Sequence, residues 1–287
     1  MTRKDRFTQI RKVLIYVLVL NWLVSFMKMV YGMITNCASM SADGMHSLSD
    51  GASNIIGLIG IWAASQPVDK GHPYGHKKYE TFSSIGIAIL LILLCVQILH
   101  DAFNRFRHPV VPDVNMISFI VMIFTLAVNL FVMGYEIKKS KELKSDILYS
   151  DAMHTRSDIL VSLSVIATLV SIKMGLAIID TLVAVVIAAL IGYAVFEILR
   201  ASSNILCDRA PIVSDRIQDI CMEIQGVKAC HMIRTRGRLD DIHVDLHVVV
   251  NPNMHVDNAH YITELIEKNV KGEIPGVTDV VVHIEPK

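Results

Sequence analysis

Two octapeptides, "DGMHSLSD" at 43–50 and "DAMHTRSD" at 151–158, repeat Asp, Met, His, Ser and Asp at matching offsets inside two separate apolar stretches. On a helix, positions i and i+4 share a face, so His46 projects with Asp50 and His154 with Asp158. An imidazole and a carboxylate from each of two packed helices make a tetrahedral N2O2 shell. That shell suits Zn2+ and accommodates Fe2+, Co2+ or Cd2+. A single such pair reads more simply as interhelical hydrogen bonding; the duplicate points to a metal or proton site, because the bound cation supplies the charge that offsets burial in lipid. Asp43 and Asp151, one turn earlier in each copy, suit either orientation of the histidines or helix-end capping.

The elements that must hold these residues are membrane helices. Of the 287 residues 53% are hydrophobic, the mean hydropathy is +0.48, and the apolar residues form long blocks. A block of about 20 apolar residues crosses a bilayer. Six blocks are expected to do so, near 12–33, 39–65, 81–105, 114–137, 147–172 and 177–200. The basic start "MTRKDRFTQIRK" precedes too long an apolar core to be a cleaved signal peptide. Lys70, Lys77, Lys78, the linker "KKSKELK", Arg200 and Arg209 fall on the same side as that start; the opposite side has little beyond Arg105, Arg107 and Lys173. Both termini are therefore expected in the cytoplasm, with the protein in the cell membrane. A net charge of +0 gives no support to nucleic-acid binding.

The transmembrane domain is expected over 1–210 and a small soluble domain over 211–287. In the latter, "VSDRIQDICMEI" and "VDNAHYITELIEKNV" have helical periodicity, whereas "VKACHMIRTRG", "DIHVDLHVVV" and "VTDVVVHIE" read as strands. The order αββαβ predicts an α+β fold with helices on one face of a sheet.

Further histidines and carboxylates lie outside the membrane blocks. Asp69, His72 and His76 share one short polar loop, "QPVDKGHPYGH", where a metal site and a plain Pro/Gly turn both fit. His231, His247, His283 and Glu285 fall on predicted strands and His260 on a predicted helix, with His243 and His255 as competing candidates. His283 and Glu285, two apart on a strand, point together. The five cysteines form no CxxC pair and read as reduced thiols; Cys230 adjoins His231. Lys28 reads as snorkelling or paired with a carboxylate, and Asn21 and Asn129 as interhelical hydrogen bonders.

Six spans, acidic and histidine pairs on the second and fifth of them, the loop "HPYGHKKYE" and a C-terminal α+β domain together resemble the cation diffusion facilitator family over essentially the whole chain. The resemblance implies a homodimer that exports divalent metal in exchange for protons, with a ferredoxin- or metallochaperone-like cytoplasmic domain. It implies a loop site at Asp69, His72 and His76, and a regulatory zinc site at the dimer interface from His231, His247, His283 and Glu285 with His260. It also implies a charge interlock between Lys78 and Asp208 at the dimer hinge. His at position 46, where some members have Asp, resembles zinc-selective members. The expectation is thus Zn2+/H+ antiport, with Fe2+, Cd2+ or Mn2+ export as the alternatives. From other classes, a membrane metallohydrolase would need an open coordination position and a general base, and no HExxH occurs. A metal-responsive receptor would not need ligands at membrane depth.

Overall fold

The structure, a computed structural model, describes residues 3–34, 38–107, 116–173 and 178–287; among the helical residues, side chains at 3–4, 28, 31–34, 38–50, 101–102, 105–106, 116–119, 122, 164–173 and 178–184 are outside the description. Cys37 and the side chains of Lys28, Asp43, His46 and Asp50 therefore lie outside the described residues. The chain divides into two compact units, Met1–Ser202 and Ser203–Lys287.

Six long helices come first: α1 (Arg3–Ile34), α2 (Ala38–Ala64), α3 (Lys78–Arg107), α4 (Met116–Leu143), α5 (Asp146–Lys173) and α6 (Ile178–Leu206). The shortest has 27 residues, about 40 Å at 1.5 Å per residue, enough to cross a hydrocarbon core of about 30 Å. Among the described residues three stretches, Asp5–Met27, Lys78–His100 and Val185–Leu206, are long and apolar enough to cross a membrane. The helix from Arg3 starts earlier than the first apolar block, so the basic leader is its first turns.

Outward-facing Trp22, Phe26, Trp62, Phe82, Leu93, Phe131, Tyr193 and Phe196 are exposed, an apolar skin that a bilayer covers. Inward, one cluster joins Ile10, Leu14 and Val17 of α1 to Ile61 of α2, Val132 of α4 and Ile147 and Leu148 of α5. A second joins Ala88 and Leu91 of α3, Ala152 and Met153 of α5, and Ile191, Ala194, Val195 and Ile198 of α6. α5 belongs to both, which encloses its polar residues. Small residues bring α2 close: a Cβ on Gly60 would collide with Ser83 of α3, and one on Gly57 would lie 3.0 Å from Ile147 of α5.

A buried ion pair fixes the α4–α5 joint. Arg6 Nη2 lies 3.0 Å from Glu80 Oε2, and Glu80 is fully buried. The same guanidinium donates to the carbonyl oxygens of Leu143 at 2.7 Å and Lys144 at 2.9 Å, and Ser145 Oγ donates to Glu80 Oε1 at 2.5 Å. Arg6 thereby satisfies carbonyls that the end of α4 leaves unpaired, where Lys144 turns the chain with φ of +48°.

The second unit follows the expected order: α7 (Ser214–Met222), β1 (Ala229–Arg238), β2 (Asp241–Val250), α8 (Val256–Glu273) and β3 (Val277–Pro286). The sheet order is β1-β2-β3; β1 and β2 are antiparallel, whereas β2 and β3 are parallel and joined through α8. Along β2, Ile242, Val244, Leu246 and Val248 enter the core with Ile262, Ile266 and Val270 of α8. Strand alternation therefore leaves His243, Asp245 and His247 on the opposite face.

Candidate metal centres

The α5 half of the repeated motif is described in full. His154 and Asp151 are buried and Asp158 is half-buried. Asn54 of α2 donates through Nδ2 to Asp151 Oδ2. With Gly57 against Ile147, this contact fixes an antiparallel register in which rising positions on α5 meet falling positions on α2. Asn54, position 50 and position 46 follow one another at i−4 steps on one helical face. One turn from the Asn54–Asp151 contact brings position 50 level with 154–155, and a second brings position 46 level with 158.

The polar side chains around this register form a chain through four helices. Asn21 of α1 donates to Asn54 Oδ1 at 3.3 Å, as its expected role in interhelical bonding requires, whereas Asn129 has no such partner among the described residues. On the other side of Asp151 stands Glu136 of α4, fully buried. Thr155 Oγ1 donates to Glu136 Oε2 at 3.2 Å. Glu136 Oε1 accepts from no donor, and the same Thr155 hydroxyl lies 3.2 Å from the Asp151 carbonyl oxygen. Sequence reasoning passed over Glu136: it is a carboxylate within the fourth apolar block, the signal that marked the repeated pairs, but without a second copy.

In the loop between α2 and α3, His72 Nδ1 lies 3.2 Å from Asp69 Oδ1 and His76 Nε2 lies 3.4 Å from Asp69 Oδ2. The two imidazole centroids are 4.2 Å apart. One donor atom from each of the three residues fits within 4.8 Å of the others. The backbone N–H of His72 holds the Asp69 carboxyl below its usual range, with lesser help from the His72 ring and the Gly71 N–H. His76 is anchored from its other nitrogen, Nδ1, 3.0 Å from the Pro67 carbonyl oxygen, the second-atom support that metal-binding imidazoles commonly have.

On the sheet, parallel pairing sets His247 beside His283, and antiparallel pairing sets it beside His231. Glu285 reaches both sides: Oε2 is 3.2 Å from His231 Nε2 and Oε1 is 2.9 Å from His247 Nδ1. His231, His247 and Glu285 offer donor atoms within 4.8 Å of one another. The hydrogen bond with His247 keeps the Glu285 carboxyl below its ordinary range. His283 stacks on His247 with centroids 4.6 Å apart. His260 stands apart on α8, exposed and 3.4 Å from Glu264, so it does not join the cluster within one chain. His243 belongs with Asp241 and Asp279, chiefly the former, which push its pKa up, and His255 caps α8 by accepting from the Asp257 N–H. Cys230 turns into the core beside Cys221, away from His231. The four described cysteines are free thiols. Lys78 opens α3 in one compact unit and Asp208 lies in the other.

A helical membrane bundle with paired histidines and aspartates, joined to an α+β domain bearing its own histidine–carboxylate cluster, defines a divalent-metal transport protein. Residues 14–207 match the cation efflux transmembrane domain and residues 210–287 the cation efflux protein cytoplasmic domain; the chain belongs to the cation efflux, or cation diffusion facilitator, family. It is 32% identical to an uncharacterised transporter of Methanocaldococcus jannaschii, over 96% of this chain and 98% of that one. It is 29% identical to the manganese efflux system protein MneS of Bacillus subtilis, over 92% and 91%. A solved MamM CTD chain in a manganese form is 27% identical with a TM-score of 0.25, covering 26% of this chain and 94% of that one. The protein is accordingly a multi-pass membrane transporter for the efflux of divalent metal cations, in a family of transporters and not of enzymes.

Proposed function

We propose that the protein is a Zn2+/H+ antiporter of the cell membrane, moving Zn2+ by alternating access through a tetrahedral shell of His46, Asp50, His154 and Asp158. The α2–α5 register carries this reading: Asn54 on Asp151 and Gly57 on Ile147 align the two motif-bearing stretches turn for turn. Zn2+ is bound by neutral imidazole and ionised carboxylate, so protons from the far side compete for the same four donors and displace the ion. Rocking of α2 against its neighbours would expose that shell to each side in turn. Both termini are cytoplasmic, as the basic loops indicate.

The loop residues Asp69, His72 and His76 would recruit Zn2+ or brace the joint to the cytoplasmic domain. That domain, 211–287, would sense Zn2+ and pair two copies into a homodimer. His231, His247, His283 and Glu285 form its site, with His260 contributed across the dimer, and Lys78 and Asp208 lock the hinge. Sensing requires that Zn2+ bind the docked form better than the separated one. On this reading Zn2+ at 100 times its Kd stabilises the cytoplasmic domain by about 2.7 kcal/mol. Glu285→Gln should erase most of the zinc-induced rise in melting temperature, read by calorimetry; an undiminished rise would remove Glu285 from the site.

A second reading, Mn2+ efflux by the same mechanism, is favoured by the similarity to a protein named for manganese efflux. One assay separates these readings from each other and from a hydrolase or receptor. Proteoliposomes containing the protein and a metal-sensitive dye should fill with Zn2+ faster than with Mn2+ when an outward-directed proton gradient is imposed. The rate should collapse when the gradient is dissipated. Filling that ignores the gradient would exclude antiport, and no filling with any of Zn2+, Mn2+, Fe2+ or Cd2+ would exclude transport through this shell.

A further inference from the structure

A groove of about 990 Å³ runs along the outside of α1 and α2, at the upper end of the roughly 300–1,000 Å³ range of ligand pockets. Thr8, Arg11 and Ile15 line its α1 wall at i, i+3 and i+7, and Ile59 and Trp62 stand on its α2 wall. Its floor is formed by Phe7 and Ile61, both buried, whereas Ile15, Ile59 and Trp62 are exposed. The two helices are antiparallel and touch beyond the groove: a Cβ on Gly57 would lie 3.2 Å from Leu14, and one on Gly51 would collide with Trp22.

The groove has a polar end and an apolar end. With Leu14 beside Gly57, Arg11 is level with Gly60 and Thr8 with Ala63, so Thr8, Arg11 and Ser65 gather toward the start of α1 and the end of α2. Arg11 is six residues past Asp5, where the apolar span begins, about 9 Å along the axis, a depth from which a guanidinium reaches the headgroups. In the other direction the apolar wall continues on α1 as the exposed Val19 and Trp22. Arg11 is exposed and makes no hydrogen bond or ion pair with the described residues. None of the residues lining the groove is acidic. The adjoining Arg3, Lys4 and Lys12 outnumber Asp5, the one acid among them, while Arg6 is committed to Glu80.

We infer that this groove binds an anionic phospholipid of the leaflet on the N-terminal side, with the lipid phosphate on Arg11 at the polar end and an acyl chain along Ile15, Ile59 and Trp62. Guanidinium and phosphate form bidentate, charge-assisted hydrogen bonds, and basic residues at the membrane surface favour anionic lipids. A zwitterionic lipid would bring its own cation into a positive site that has no carboxylate to receive it. A free phosphate would leave the apolar length of the groove uncovered. The site is separate from the histidine–carboxylate centres and does not depend on which metal is carried.

The test uses the full chain in detergent, with binding of dioleoyl phosphatidylglycerol and dioleoyl phosphatidylcholine titrated by native mass spectrometry. Phosphatidylglycerol should bind roughly tenfold or more tightly, and Arg11→Gln should remove most of that preference, the effect expected for loss of a charge-assisted hydrogen bond. Arg200→Gln, which removes an exposed cation on α6, should leave the preference intact. Ser65→Trp, which fills the polar end from the α2 side, should weaken phosphatidylglycerol binding as Arg11→Gln does, and it carries the test if Arg11→Gln does not elute as a single species on size exclusion. Equal binding of the two lipids would overturn the site, as would a preference that survives Arg11→Gln or is lost equally with Arg200→Gln. Displacement of phosphatidylglycerol by an equal concentration of inorganic phosphate would overturn it too, since the groove would then read the anion and not the lipid.

Discussion

Asp158→Ala is expected to lower metal flux by roughly 100-fold or more, since loss of a residue that only orients a metal ligand costs about 10- to 100-fold and Asp158 is proposed as a direct donor. The substitution removes one of two anionic donors, leaving a dication with less compensation at membrane depth. Asp158 is half-buried on α5, and the hydrogen bond from Ser162 reaches its backbone carbonyl and not its carboxylate. Elution of the variant as a single species on size exclusion keeps flux a reading of the site. Initial rates in dye-loaded proteoliposomes, normalised to reconstituted protein, supply the number. Asp50→Ala should behave alike, because the antiparallel register sets position 50 level with 154–155. Flux within a few-fold of wild type for either variant would remove the shell from the transport path.

The second large effect falls on stability. Glu80→Ala removes from the buried Arg6 guanidinium the carboxylate 3.0 Å away, while its hydrogen bonds to the Leu143 and Lys144 carbonyls stay. Removing one partner of a buried pair costs about 3–5 kcal/mol. At roughly 2–4 °C per kcal/mol for a unit of this size, the melting temperature in detergent should fall on the order of 10 °C. The combined Arg6→Met and Glu80→Leu change should cost much less than the sum of the two single changes, because it removes both charges together. Additive losses would mean that the two side chains act independently, and a shift of under about 2 °C for Glu80→Ala would mean that water already reaches the pair.

The register and the ion pair both concern contacts between residues far apart in the chain, and this separates what is legible in one dimension from what is not. Long apolar blocks must become helices in a bilayer, because no other backbone arrangement satisfies their hydrogen bonds except a closed barrel. The HxxxD repeat could be read for a related reason: charge in such a block is costly, and its recurrence at one spacing is visible without knowing what packs against it. In the soluble domain, the alternation along "DIHVDLHVVV" reads as a strand, and the structure puts Ile242, Val244, Leu246 and Val248 of that strand in the core.

Glu136 and Glu80 were not legible in the same way. Each is a single carboxylate with no duplicate, and its partner is supplied by another helix: Thr155 for the first, Arg6 for the second. The same holds for the cytoplasmic domain, where His231, His247, His260, His283 and Glu285 were all candidates: strand pairing brings donor atoms of His231, His247 and Glu285 together, with His283 stacked on His247, while His260 stands apart on α8. Composition and periodicity determined the membrane helices and the αββαβ order and exposed the HxxxD repeat, because these follow from local hydrogen bonding and the cost of burying charge. Tertiary structure alone decided which buried groups meet, because helix packing and strand register convert distances along the chain into distances in space.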